Sequence, residues 1–371
     1  SPVILTDITS GYNIARNIYL DSDFHDLCGF TESEMATVLT QLGQECGWSP
    51  DTTTGALTTM RQFYNGYRFS DESPEPVYNP TMVLYFLQQL QPKCQAPKKL
   101  LDSNLMMDRN KLTFLSHLPD GETVLFSALG EHPPLTIPEL TDRFGIEDFL
   151  KPSLESTLII SLLYYFGVLT FAGPPEIGRV VLTIPNLAVR KLYVEQLRER
   201  LLPGVSTEVA QLAHTCHRTG DLQPVCEFME QRYFKVLDNR DYAATAKELA
   251  LKLAFLTVLF NDAIYVMDSE TALERSYADL TMRVRDEARG AGFWDFLFEF
   301  KFVNLKPVKL SNQRKLTGKA VKQMTVADLK THCQPQLTDA KEQLQRYRQT
   351  LLEVYGEKLR LKVFAVVAVG W

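Results

Sequence analysis

The sequence lacks several features that would assign it to a class of protein at once. No apolar run reaches membrane-spanning length, and the start, SPVILTDITS, has neither the basic flank nor the apolar core of a secretion signal. The formal net charge of −6 excludes a protein that coats nucleic acid by bulk positive charge. Six cysteines scattered over 371 residues are not the pattern of a disulfide framework, which favours a reducing compartment. These absences predict an intracellular protein, nuclear or cytoplasmic, with no membrane partner.

The composition is that of a globular protein of more than one domain. Hydrophobic residues make up 45% and charged residues 23% of the chain, whose length allows two or three domains. We predict a mixed α/β protein divided into residues 1–90, 91–240 and 241–371. The chain begins with Ser1 and not with Met, which we interpret as the start of a fragment.

The first region contains clear helix and turn signals. In FTESEMATVLTQLG, Thr31 and Glu34 form a capping box in front of a helix, and Pro80 stands at the start of another helix. Asn65-Gly66 predicts a tight turn between two aromatic half-strands.

The middle region predicts a winged-helix-like unit. The segments LTIPELTDRFG, LESTLIISLLYYFGVLTF and VVLTIPNLAVRKLYVEQLRERL indicate helix, helix, strand, strand, helix. Such a unit can read DNA or serve only as a packing module. The residue types at His214, Cys216, His217 and Cys226 suit zinc, but their spacing matches no standard ligand pair, and a bundle helix is the favoured interpretation.

The stretch WDFLFEFKFV, residues 294–303, sets an ionisable pair inside an apolar strand. Alternation puts the phenylalanines at 296, 298, 300 and 302 on one face, which predicts that this face is buried. Glu299 and Lys301 share the opposite face. Burying charged side chains costs free energy. A carboxylate and an ammonium on this strand therefore indicate a functional site that uses their charges.

A preceding strand adds a second carboxylate. YADLTMRVRDE alternates so that Asp279 lies on a polar face, and Gly290-Ala291-Gly292 predicts a hairpin that brings Asp279 beside Glu299 and Lys301. Two adjacent carboxylates repel each other unless a hard divalent cation lies between them, and Mg²⁺ or Mn²⁺ suits an all-oxygen ligand set. Lys301 is then expected to be aimed at water and phosphate rather than at Glu299. The pattern predicts metal-assisted hydrolysis.

This constellation resembles the PD-(D/E)XK nuclease superfamily. Asp279, Glu299 and Lys301 match its D…ExK pattern, and an acidic residue, Glu248, lies on the preceding helix. The following helix matches the family's Ala-x-x-Gln…Tyr pattern with Ala340, Gln343 and Tyr347. Ala278 replaces the family's proline.

The resemblance implies a restriction-endonuclease-like αβββαβ core and Mg²⁺-dependent cleavage of phosphodiester bonds, with DNA as the expected substrate. Asp279 and Glu299 are implied as metal ligands, Glu248 as an auxiliary acidic ligand, Lys301 as the residue that assists the attacking water, and Gln343 as a support for the lysine or the phosphate. Because superfamily members also serve as scaffolds, a non-catalytic role in nucleic-acid binding or protein assembly stays open.

A second resemblance covers roughly the first ninety residues. FTESEM, YNGYRF and VYNP resemble the later part of the AAA-ATPase-like domain that many microbial and fungal proteins fuse to such a nuclease domain. The chain contains no GxxxxGK[ST], and TGKA at 317–320 lacks the residues for a phosphate cradle. We therefore expect no ATP hydrolysis by this chain alone: either an N-terminal ATPase segment is missing, or another segment completes the domain.

A basic segment follows the strand with the ionisable pair. Before Asp328 it contains no acidic residue, and its cations are Lys306, Lys309, Arg314, Lys315, Lys319 and Lys322. Beside a phosphodiesterase site this run can hold a nucleic-acid backbone by charge. A solvated loop is an equally good interpretation.

Overall fold

The computed structural model describes most of the chain. The described residues are 4–5, 18, 20–73, 75–97, 99–101, 106–118, 120–130, 135–141, 143–144, 156–173, 177–233, 247–268, 271–273, 276–304 and 325–370. They show the expected mixture of helices and strands. The chain forms two compact units, 1–197 and 198–371. This boundary falls inside the predicted middle domain, and the division into three domains stays a prediction.

The first unit is mainly helical. Its helices are α1 (Glu32–Glu45), α2 (Pro50–Tyr64), α3 (Pro80–Leu90), α4 (Met106–Ser116), α5 (Gly121–Gly130) and α6 (Ser156–Tyr165). Helix α7 (Leu187–Leu201) follows and crosses the unit boundary. The predicted capping box is present, because Thr31 accepts from the Glu34 backbone and Glu34 accepts from the Thr31 backbone. Pro80 occupies the first turn of α3, as predicted.

The three stretches FTESEM, YNGYRF and VYNP meet at one carboxylate. Glu32 accepts hydrogen bonds from the Tyr78 hydroxyl at 2.7 Å, from the Asn65 amide at 3.4 Å and from the Arg61 guanidinium. Burial opposes ionisation of Glu32, but these donors outweigh it and lower its pKa. The three stretches therefore stabilise the first unit through a shared polar contact.

The predicted half-strand before Asn65 is wrong. Phe63 and Tyr64 belong to α2, which buries Ala56, Met60, Phe63 and Tyr64 at helical spacing. Gly66 follows the helix with φ of +110°, and a Cβ there would lie 1.9 Å from the carbonyl oxygen of Pro185. The glycine is needed for this close approach.

The winged-helix-like segment contains a strand where a helix was predicted. Residues Leu135–Ile137 form β2, which pairs antiparallel with β5 (Val180–Thr183), and β4 (Thr170–Phe171) pairs with the other edge of β5. Pro138 favours an extended conformation at Ile137, and β-branched residues suit strands. The short pair β1 (Ile4–Leu5) and β3 (Arg143–Phe144) is parallel.

Two of the six cysteines form a disulfide that the sequence did not predict. Cys46, at the end of α1, is bonded to Cys94, beyond α3, with Cα atoms 5.4 Å apart. The pair could not be recognised in the sequence, because the two cysteines are 48 residues apart and only the packing of the helices brings them together. A disulfide is typical of oxidising compartments, so the cysteine argument for a reducing one fails. The intracellular location stays a prediction.

The second unit contains a four-stranded mixed sheet between helices. Its helices are α8 (Ser206–Thr219), α9 (Gln223–Phe228), α10 (Lys247–Leu259), α11 (Val326–His332) and α12 (Gln334–Tyr355). Its strands are β6 (Tyr265–Asp268), β7 (Thr271–Leu273), β8 (Ser276–Ala278), β9 (Leu280–Val284), β10 (Asp295–Asn304) and β11 (Leu361–Gly370). The sheet order is β11-β10-β9-β6. Strand β9 is antiparallel to β6 and β10, whereas β11 is parallel to β10.

Both faces of β10 are covered. On one face the phenylalanines at 296, 298 and 300 are fully buried, and Phe255 of α10 lies 5.1 Å from Phe300 between ring centroids. On the other face Leu297 packs in a cluster with Ala278 and three residues of α12: Leu344, Tyr347 and Leu351. The predicted burial is confirmed for three of the four phenylalanines, whereas Phe302, at the end of the strand, is only partly buried. The opposite face, predicted as polar, is a buried layer that holds two charged residues.

Candidate active site

The candidate site lies on the face of β10 that α12 covers. Glu299 is only 3% exposed, and Lys301, two residues further along, is half-buried. Because side chains two apart on a strand point the same way, the two groups meet beneath α12. Their register partners on β11 are Ala365 and Val367, whose side chains carry no charge.

Asp279 joins the site from a bend between β8 and β9. Its Oδ2 accepts the backbone N–H of Phe300 at 2.7 Å. The ladder between β9 and β10 ends at Phe298 and Leu280, so the carboxylate takes the place of the next ladder bond. This contact places Asp279 next to Glu299, as the hairpin argument predicted. The connection is longer than a simple turn, because a 3₁₀ helix (Asp286–Ala291) precedes Gly292.

The ammonium of Lys301 has three partners. Its Nζ donates to Glu299 Oε1 at 2.9 Å and to Gln343 Oε1 at 3.1 Å, and lies 3.5 Å from Asp339 Oδ2. The expectation that Lys301 is aimed at water instead of Glu299 is therefore wrong for this structure. An ammonium with 17% of its side chain exposed requires a counter-charge, and Glu299 is the nearest one.

The carboxylate of Glu299 is incompletely satisfied. Its Oε2 is buried and makes no hydrogen bond with any residue that the structure describes. Burial, with the negative charge of Asp279 as a second cause, raises the pKa of Glu299 to about 7, although Lys301 opposes the shift. Burial alone would lower the pKa of Lys301, but the hydrogen bond to Glu299 and the neighbouring carboxylates raise it. The site therefore has more negative charge than its one cation neutralises.

Glu248 completes the acidic set from the first turn of α10. The residue is exposed, but its carboxylate accepts from the backbone of Phe302 and is close enough to the site to interact with Lys301 and Asp279. Partial burial and the charge of Asp279 raise the pKa of Glu248, against the effect of Lys301. Glu248 thus lies within electrostatic range of Asp279 and Lys301, and its assignment to the site stays a prediction.

The donor chemistry suits a hard cation, with two conditions. Across the part of the chain that the structure describes, no three His, Cys, Asp or Glu side chains are gathered closely enough to hold a metal ion. Glu299, however, has a buried oxygen with no partner among the described residues, and the carboxylates of Asp279, Glu248 and Asp339 are near it or near its partner Lys301. Carboxylate oxygens with room for water are the ligands that Mg²⁺ prefers. The residues fit the cation in their chemistry, and binding would require both that Glu299 release Lys301 and that the carboxylates approach one another.

Helix α12 supplies the predicted glutamine and one residue that was missed. Ala340 and Tyr347 are buried against the sheet, while Gln343 reaches Lys301 with its amide oxygen. Asp339 approaches the same ammonium one turn earlier, because residues four apart share a helix face. The i, i+4 spacing of Asp339 and Gln343 could have predicted from the sequence that both side chains reach the same ammonium.

Other sequence assignments lie elsewhere. Lys306, Lys309, Arg314, Lys315, Lys319 and Lys322 fall in 305–324, outside the described residues. Cys216 and His217 are buried in α8, which confirms the helical interpretation of that stretch. Within the described helices, none has both the length and the apolar character that crossing a membrane requires.

Comparisons with known proteins add no family. No family model, no curated protein and no solved structure matches this chain. The two resemblances drawn from short motifs therefore stay predictions, and any functional argument depends on the site itself.

Proposed function

We propose that the second unit is a metal-dependent nuclease of the PD-(D/E)XK type, which hydrolyses phosphodiester bonds of nucleic acid, with DNA as the substrate to test first. The observation that carries this proposal is the buried set of Asp279, Glu299 and Lys301 on one sheet face, with an unpartnered carboxylate oxygen at its centre. Buried charge of this kind destabilises a fold unless a ligand compensates for it.

The order of elements supports the same proposal. Helix α10, strands β6, β9 and β10, helix α12 and strand β11 follow the αβββαβ order of a restriction-endonuclease-like core. Helices α10 and α12 pack on opposite faces of β10. The acidic residues come from the helix before the sheet (Glu248), from the bend just before β9 (Asp279) and from the central strand β10 (Glu299).

Each residue has a role that follows from its contacts. Asp279 and Glu299 would hold Mg²⁺ or Mn²⁺, with Glu248 as an outer acidic ligand. The bound cation would polarise the phosphodiester and lower the pKa of a water that it binds. Lys301, when released by Glu299, would remain held by Gln343 and Asp339 with a donor directed at the attacking water or at a phosphate oxygen.

A non-catalytic role is the second candidate, and one observation favours it. The 2.9 Å contact between Lys301 and Glu299 occupies a ligand that the metal needs. If this ion pair persists in the presence of metal, the unit is a nuclease-like scaffold that binds nucleic acid or assembles with proteins without cleaving anything.

Cleavage assays with two matched variants test the nuclease. The whole chain would be incubated with single-stranded DNA, double-stranded DNA and RNA in Mg²⁺ or Mn²⁺, beside Asp279→Asn and Lys301→Met. The asparagine keeps an acceptor for the Phe300 backbone, so its fold is expected to survive. We expect both variants to lose at least about a hundredfold of the activity, because each removes a group used in the transition state.

A control and a binding measurement separate the two candidates. Glu342→Gln removes an exposed carboxylate from the same helix that holds Gln343, and should cleave like the wild type. Mn²⁺ binding is measured directly by titration calorimetry. Cleavage that persists in both site variants refutes the site assignment. Absence of both cleavage and Mn²⁺ binding, in a chain that still binds nucleic acid, establishes the scaffold.

A further inference from the structure

A second cluster of charged side chains lies at the beginning of β10, outside the carboxylate site. Trp294 and Phe293 are half-buried neighbours just before the strand. The guanidinium of Arg360 lies 3.8 Å from the centroid of the Trp294 ring, and the ammonium of Lys362 lies 4.5 Å from it. Arg218 lies 5.7 Å from the centroid of Phe293. We call these five residues the cation–aromatic cluster.

The three cations have aromatic rings as neighbours, and of the three only Lys362 is half-buried, while Arg218 and Arg360 are exposed. Among the residues that the structure describes, none of the three makes an ion pair. Arg360 uses one N–H group on the carbonyl of Gly292 at 2.8 Å, which leaves most of its five donors available. His214, whose ring lies 5.9 Å from Phe293, adds a fourth basic residue.

Two acidic residues that lie close to the cluster along the chain are already engaged. Asp295 is buried and receives Arg289 at 2.9 Å. Asp221 accepts the backbone N–H of Gln223 at 3.0 Å. Gly220 lets the chain pass close to the cluster, because a Cβ there would meet Lys362 at 2.9 Å and Trp294 at 3.2 Å. The cluster is therefore locally positive on a chain whose net charge is −6.

The cluster is separate from the carboxylate site. Trp294 lies five residues before Glu299, which is roughly 16 Å along an extended strand. Lys362 is the register partner of Phe296, so it shares the phenylalanine face and not the face of Glu299. The hydrogen bonds described above join Asp279 to Phe300, and Lys301 to Glu299 and Gln343. None of these partners belongs to the cluster.

We propose that the cation–aromatic cluster is a docking site for the phosphate backbone of nucleic acid. A guanidinium held flat on an aromatic ring keeps its edge donors free, and that edge matches phosphate oxygens bidentately. Three cations from two segments, residue 218 and residues 360–362, would give sequence-independent, salt-sensitive affinity. The choice of nucleic acid over an acidic peptide rests on the proposed function, since the same unit carries the proposed phosphodiester site.

Binding in EDTA tests the cluster without any cleavage. Fluorescein-labelled 20-mer single-stranded and double-stranded DNA would be titrated with the whole chain by fluorescence anisotropy, at several salt concentrations. We expect a Kd of about 1–100 μM near physiological salt. The variant Arg218→Gln/Arg360→Gln/Lys362→Gln should bind at least about tenfold more weakly, and its slope of log K against log salt should be shallower by about 2–3.

The matched control removes the same number of charges elsewhere. Lys93→Gln/Lys99→Gln/Arg179→Gln neutralises three exposed cations of the first unit and should keep the affinity and most of the slope. A second measurement does not depend on the stability of the charge variant. Trp294 emission should change when unlabelled DNA binds, and Trp294→Phe should lose that change.

Three results would overturn the docking site. They are equal affinities for the cluster variant and the control variant, no change of Trp294 emission on binding, or tighter binding of poly-glutamate than of either DNA. None of them depends on metal. A chain that docks DNA through the cluster and does not cleave it in Mg²⁺ supports this inference while refuting the nuclease, so the two failures are distinguishable.

Discussion

Strand β10 carries two buried carboxylates, and they differ in how well the fold satisfies them. Asp295 accepts from four donors: the backbone of Val284 and Arg360, and two nitrogens of Arg289. Glu299, four residues along, has Lys301 on one oxygen and nothing on the other. Both are at most 3% exposed. Both oxygens of Asp295 are bonded, although Nε of its partner Arg289 has no hydrogen bond among the described residues. We call this the completed pair and the pair of Glu299 with Lys301 the incomplete one, because a ligand site requires an unsatisfied carboxylate oxygen.

The largest expected effect is on stability at the completed pair. Asp295→Asn keeps the shape of the side chain but replaces an acceptor oxygen by an N–H group that faces other donors. Removing one partner of a buried, fully bonded charge pair costs about 3–5 kcal/mol. Hydrogen exchange of peptides in β10, measured beside urea unfolding, should show this loss in the second unit. A cost below about 1 kcal/mol would show that Asp295 is not a structural anchor.

The second-largest expected effect is a loss of stability at acid pH, near the end of β10 that carries Asp295. His217 is fully buried, its ring lies 4.7 Å from that of Tyr265, and neither ring nitrogen makes a hydrogen bond of ordinary geometry. Burial lowers the pKa of His217 to about 4, and the backbone of Leu259 opposes the shift only partly. The folded state binds a proton at His217 less tightly than the unfolded state does. The stability that neutral His217 contributes is therefore fully present above pH 6.5 and is lost as the pH falls towards 4.

The size of the acid effect follows from the shift. A depression from 6.5 to about 4 corresponds to roughly 3 kcal/mol at pH 4. His217→Phe fits the same aromatic surroundings and cannot be protonated. The difference in unfolding free energy between wild type and variant should therefore change by about this amount between pH 7 and pH 4. A constant difference over that range contradicts the prediction.

The sequence predicted the strand faces that position this site better than it predicted the ion pairs within it. Period-two alternation of the phenylalanines is a local signal, so the buried face of β10 and the meeting of Glu299 with Lys301 followed from it. Arg289 and Asp295 lie six residues apart across a 3₁₀ helix, and Lys301 reaches Asp339 only because α12 crosses the sheet face. Such contacts depend on tertiary packing, which spacing in a single sequence does not encode.

The other wrong predictions have one local cause and two that depend on tertiary packing. Ile137 was assigned to a helix because its apolar neighbours suited one, while Pro138 decided the local conformation. The cysteines at 46 and 94 were treated as scattered, since the turns between three helices determine whether they meet. The cation–aromatic cluster was missed for the same reason: Arg218, Trp294 and Arg360 come from three distant segments.

A smaller effect on stability is expected at the incomplete pair. Glu299→Gln removes a buried charge that has one unsatisfied oxygen, and leaves Lys301 with Gln343 and Asp339 as partners. The two contributions oppose each other, so the unfolding free energy should change by less than about 1.5 kcal/mol. Mn²⁺ affinity should fall at least about tenfold, because a carboxylate ligand is lost. The same amide substitution at Asp295 is the matched comparison, and equal costs at the two positions would abolish the distinction drawn between them.

The smallest expected effect is at Asp339, which competes with Glu299 for the lysine. Its side chain is 59% exposed and its oxygen lies 3.5 Å from Nζ of Lys301, so the pair is worth at most about 1 kcal/mol. Without it, Lys301 should stay longer with Glu299 and obstruct the metal. Asp339→Asn is therefore expected to weaken Mn²⁺ binding by up to about fivefold with no measurable loss of stability, whereas Glu342→Gln, which removes the same charge from the same helix, should not. Tighter Mn²⁺ binding in Asp339→Asn would mean that Asp339 restrains the lysine within the ion pair, and that Glu299 is released by some other group.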